Sequence, residues 1–156
     1  MADDQLEELL PTLQIFRTQL GEKISVEDWI AHVGTIEVAL AYTRFFWPPF
    51  VQVEDMVFLE AGYKLQSLED WKVAVGENPA DIERHLNHTG LAEMFANPEI
   101  QQQLQPEQLH YFGQTLQTLW SLKLQQEFPQ RQYKVQMGEG TSVEDYFITF
   151  YRTEQG

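Results

Sequence analysis

With 156 residues, 43% of them apolar and 13% aromatic, the chain is long enough to build one self-sufficient core and too aromatic to be a disordered segment. It contains no cysteine, which removes disulfides, thiolate metal sites and cysteine nucleophiles from consideration. Twenty-four acids against ten bases give a net charge of −14, a field that repels nucleic acid and anionic lipid, attracts basic partners, and also serves solubility by itself.

The acid is spread through the chain, with 14 acids and 5 bases up to Asn78 and 10 acids and 5 bases after it. Acid also occupies the first residues, where a secretory signal would need positive charge followed by an apolar run. No stretch approaches the roughly 18 consecutive apolar residues of a membrane span. A cytoplasmic protein without membrane association is expected.

The first helical signal runs from Asp4 to Leu20, with Leu6, Leu9, Leu13, Phe16 and Leu20 on one stripe. Pro11 either kinks this helix or opens a second one, and Gly21 supplies a stop. Ser25-x-x-Asp28 then reads as a capping box for a helix over 26–46. That helix is apolar on most sides, from Trp29 and Ile30 to Phe45 and Phe46, and is expected to lie buried at the centre of the fold. Trp47-Pro48-Pro49 ends it.

Residues 50–59 are rich in β-formers and predict either a tight hairpin around Glu54-Asp55 or one bent strand. Short helices follow at Ser67-x-x-Asp70, Asn78-Pro79 and Asn97-Pro98, with Gly90 as a left-handed stop after His88. A long helix is predicted from Pro106 to Gln126, its stripe formed by Leu109, Phe112, Leu116, Leu119, Trp120 and Leu124. Tyr133–Met137 alternates as a strand, and Tyr146–Tyr151 returns antiparallel to it through a loop at 138–144. The expected architecture is α+β in a single domain spanning 1–156. Two long helices pack on a small antiparallel sheet of three or four strands that includes the C-terminal hairpin and takes 50–59 as its further partner.

Chemistry is sparse. Asp81, His85 and His88 fall on one helical face, as ligands for a divalent ion would, or else are a helix cap and two solvated histidines. His32 and His110 are isolated and read as partly buried polar residues. Ser25, Ser67, Ser121 and Ser142 have capping, helical or loop positions and no nucleophile elbow. Close acids such as Glu54-Asp55 and Glu69-Asp70 are expected from composition alone. Gly138-Glu139-Gly140-Thr141-Ser142 lacks the lysine of a phosphate loop and leads into a strand, so it reads as a turn. Trp47, Pro48, Pro49 and Phe50 suit either a rigid docking surface or the edge of the core. Lys123, Arg131, Lys134 and Arg152 place four of the ten bases on the last helix and hairpin, where a shared face would orient a partner.

No cofactor is implied. The composition therefore favours a non-catalytic interaction protein, an adaptor, regulator or immunity-like inhibitor that offers acid to a basic partner protein. The alternative is a small-molecule-binding domain or enzyme with a pocket between the central helix and the sheet. A metal protein centred on His85 and His88 comes third, and an apolar patch left by the sheet would suit a homodimer.

Overall fold

The computed structural model describes residues 2–20 and 23–153, so Gly21, read as a helix stop, lies outside the described residues. The chain divides into two compact units, Met1–Thr43 and Arg44–Gly156. The fold class is the expected one, helices with small antiparallel sheets and a C-terminal hairpin.

The first unit is helical. α1 (Ala2–Glu8) and α2 (Pro11–Leu20) are separate helices, because Pro11 takes the first position of α2, where its missing N–H costs nothing. Arg17 of α2 ties the unit together, pairing with Glu7 at 3.0 Å and donating from Nε to the Ile24 carbonyl at 2.7 Å. Ser25 caps α3 (Val26–Val33) in the predicted box, its hydroxyl accepting from the Asp28 N–H at 3.0 Å.

The helix expected over 26–46 is two helices, α3 and α4 (Ile36–Phe46). Gly34 turns to extended backbone while its N–H closes α3 on the Ile30 carbonyl, and the Thr35 hydroxyl accepts the Val38 N–H to start α4. Neither helix carries a buried residue, which overturns the expectation of a buried central rod.

In the second unit, β1 (Phe50–Val53) and β2 (Met56–Leu59) form a tight hairpin with Glu54 in the left-handed region at φ 59°. Its turn is clamped from outside: the Asp55 carbonyl accepts from both Arg131 and Arg152, and the Asp55 carboxylate pairs with Arg152 at 3.1 Å. α5 (Leu65–Val75) begins two residues before the predicted cap Ser67, so Ser67 lies in its first turn, and Gly76 ends it at φ 90°. Asn78 caps α6 (Pro79–Leu86), and Asn97 caps α7 (Pro98–Gln101). Gly90 is no left-handed stop; it pairs in the short strand β3 (Thr89–Gly90), because α6 ends earlier, at Asn87. α8 (Pro106–Glu127), β4 (Tyr133–Gly138) and β5 (Phe147–Arg152) follow as predicted.

The sheets depart from the expected pairing. β5 lies between β4 and β3, while β1–β2 stands as its own two-stranded sheet. The reason sits on α6. Glu83 and Asn87, one turn apart and both fully buried, project between β2 and β5 and take the backbone groups that a ladder would use. Glu83 accepts from the N–H of Val57 at 3.0 Å and of Arg152 at 2.7 Å. Asn87 accepts from the Leu59 N–H at 2.9 Å and donates to the carbonyls of Val57 and Phe150 at 3.0 and 3.2 Å. Two polar side chains thus splice the sheets where direct pairing was expected.

β2 is buried on both faces and separates two apolar clusters. Val57 joins Leu109, Leu116, Trp120, Leu124, Ile148 and Phe150, while Met56 and Phe58 join Leu68 and Ile82. That split follows from the two-residue period of a strand.

Candidate functional site

α6 has two faces with different uses. Ile82, Glu83 and Asn87 turn inward, whereas Arg84, His85 and His88 line a cleft of about 350 Å³ in the second unit with Trp71 of α5, Gln136 of β4, and Phe147 and Thr149 of β5. The Thr149 hydroxyl donates to the Arg84 carbonyl at 2.6 Å and fixes α6 on β5.

Each polar group in this cleft is held by an aromatic or a backbone partner. The His85 ring lies 4.6 Å from Trp71, tilted by 31°, and its Nδ1 lies 2.7 Å from the Asp81 carbonyl. A carbonyl only accepts, so Nδ1 carries hydrogen and the second nitrogen remains for other partners. His88 stacks at 4.5 Å on Phe147. The Arg84 guanidinium lies 4.3 Å from the centre of the Tyr151 ring, and the Tyr151 hydroxyl donates to the Gln136 side-chain oxygen at 3.1 Å. The Gln136 amide is thereby oriented with its N–H₂ left to donate. Among the described residues no carboxylate lines the cleft, although acids outnumber bases in the chain by more than two to one.

Phe147 depends on Gly138, its cross-strand partner. A Cβ on Gly138 would fall within the Phe147 ring. Gly138→Val is therefore expected to cost about 1–3 kcal/mol by overpacking and to unstack His88. Urea unfolding and the ring-current shift of the His88 protons would measure the two effects.

His88 also lines a second, more apolar cleft of about 370 Å³, bounded by Phe45, Pro48, Pro49, Leu59, Leu86 and Trp120, with Arg44 at its edge.

The predicted metal set comes together only in part. His85 and His88 share the cleft, but Asp81 engages His85 through its backbone carbonyl and does not line it. Among the described residues no three His, Asp or Glu side chains converge as metal ligands do. His32 is exposed, against the partly buried position expected, with Nδ1 2.9 Å from the Asp28 carbonyl and its ring against Phe16. His110 pairs with Glu139 at 2.7 Å, which places the glycine-rich turn's acid on α8.

Of the aromatic surface candidates, Phe50 packs against Phe128 and Phe150, whereas Trp47 is 40% exposed, with the Lys123 ammonium 5.9 Å from its ring. The basic candidates serve internal roles for the most part. Lys123 is buried, donates to the Pro48 carbonyl and pairs with Glu127; Arg131 and Arg152 hold the β1–β2 turn; Lys134 is exposed on β4. Among the close acids, Glu54 and Glu69 meet Lys72, and Asp70 accepts from Gln66. The hydroxyls of Ser25 and Ser142 cap helices, and that of Ser121 donates to the Gln117 carbonyl.

The feature that sequence reasoning assigned to the core is instead a surface. Ile30, Val33, Ile36 and Leu40 are 54%, 53%, 72% and 62% exposed, and Val38 is 49% exposed. Among the described residues no helix is long and apolar enough to cross a membrane. Compared with known protein families, curated proteins and solved structures, the chain gives no match.

Proposed function

We propose that this chain is a non-catalytic protein-interaction module that docks its α3–α4 segment into an apolar groove of a partner protein rimmed by basic side chains. The observation that carries this reading is the exposed apolar run from Ile30 to Leu40, with Ile36 and Leu40 one helical turn apart and both more than half exposed. Side chains of this size facing water gain about 1.5–3 kcal/mol each on full burial, so a cover is favoured. Charge selects the cover. Residues 1–43 hold eight acids and two bases, a net −6 that steers a basic rim toward the segment.

A photo-reactive residue at position 40 should crosslink in the native cell to one protein with a basic surface. Ile36→Gln with Leu40→Gln should weaken binding to that protein about 100-fold while moving stability by only about 0.5 kcal/mol per site. Binding should also weaken with salt. An adduct only to a second copy of this chain, or no adduct, would overturn the reading.

A further inference from the structure

We propose that the cleft between α5, α6, β4 and β5 binds a small planar aromatic oxyanion, its acid group held by Arg84 and the Gln136 amide and its ring against the His85 and His88 imidazoles. This site lies in the second unit and stands on residues other than those of the α3–α4 segment.

Three observations converge on that ligand class. The first is charge: among the described residues the lining holds one guanidinium, two imidazoles and one amide, and no acid. Among the described residues Arg84 pairs with no carboxylate, a condition it shares with Lys23, Arg44, Lys64, Arg131 and Lys134, but of these it is the one that lines this cleft. A cation left without a counter-charge in a chain of net −14 is a ready acceptor for an external anion.

The second is preorganisation. The Tyr151 ring lies against the Arg84 guanidinium while its hydroxyl turns the Gln136 amide, so one residue sets both donors before any ligand arrives. The third is shape. Trp71 and Phe147 back the two imidazoles at 4.6 and 4.5 Å, giving flat faces suited to a ring, and about 350 Å³ lies at the small end of ligand cavities.

The test uses the full chain and three probes: benzoate, its uncharged analogue benzamide, and inorganic phosphate. Two-dimensional NMR follows the side-chain N–H₂ of Gln136 and the indole N–H of Trp71. Benzoate should shift both signals, and benzamide and phosphate should each bind about tenfold more weakly, the first lacking charge and the second lacking the ring. Arg84→Met keeps the side-chain stem over Tyr151 and should weaken benzoate about tenfold without changing benzamide. Lys134→Met removes a neighbouring base outside the lining and should leave benzoate binding unchanged, which separates the site from general charge. Should Arg84→Met fail to fold, the three-probe ranking on the unaltered chain still decides. Equal binding of benzoate and benzamide, an equal loss in both variants, or no shift at Gln136 and Trp71 at millimolar benzoate would overturn the proposal.

Discussion

Glu83→Ala should destabilise the protein by about 3–5 kcal/mol, the usual effect of removing one partner from a buried charged pair. Its carboxylate is fully buried, accepts the backbone N–H groups of Val57 and Arg152, and lies 3.4 Å from the Arg152 guanidinium. Alanine would strand two buried donors and leave the guanidinium only its contacts with Asp55. Urea unfolding followed by circular dichroism measures the loss.

The same carboxyl gives a pH signature. Burial pushes it above its ordinary value, against the opposing pull of the Val57 and Arg152 N–H groups and the Arg152 charge. The native state therefore holds the proton more tightly than the unfolded chain. The resulting stabilisation is complete below the unfolded value and is lost as pH rises through the native one. Relative to Glu83→Gln, which does not titrate, the wild type should gain stability as pH falls from neutral toward the ordinary glutamate range. Relief of general acid repulsion is common to both proteins and cancels in that difference.

Trp120→Ala is expected to cost about 3–5 kcal/mol as well, for a different reason. The indole is 1% exposed, meets Phe150 edge-on at 6.3 Å, and donates its N–H to the Phe45 carbonyl at 2.7 Å. Alanine would open a cavity continuous with the 370 Å³ cleft that Trp120 already lines. Trp120→Phe refills most of that volume but loses the indole N–H bond to the Phe45 carbonyl, so about 1–2 kcal/mol of the loss should remain. Comparing urea midpoints of the two variants separates packing from hydrogen bonding.

Local signals read well where local physics governs. The Ser25 box, the Asn78-Pro79 and Asn97-Pro98 starts, the stripe of α8 and the β4–β5 hairpin all depend on residues within a few positions of one another. Long-range competition defeated the other readings. Nothing near 50–59 in sequence announces that Glu83 and Asn87, some 30 residues away, would occupy the β2 edge and divert the hairpin from the C-terminal sheet. The apolar series runs straight through Gly34 and Thr35 and masks the break that they make between α3 and α4. At the cleft, the H-x-x-H spacing pointed to His85 and His88, but Trp71, Arg84, Gln136 and Phe147 are brought beside them only by tertiary packing.

The splice by Glu83 and Asn87 has a further effect on how these strands meet other molecules. β3 covers β5 only at Phe147 and Ile148, so beyond that point β5 would present an open margin, as would the side of β2 turned away from β1. Groups on both margins, the Phe150 carbonyl and Arg152 N–H on one and Val57 and Leu59 on the other, are already engaged by the two α6 side chains. An incoming strand from another copy finds several of the backbone groups along these margins already bonded. A glutamate and an asparagine on one helical turn therefore act as a guard against fibrillar stacking, a protection that an all-apolar contact between the same strands would not supply.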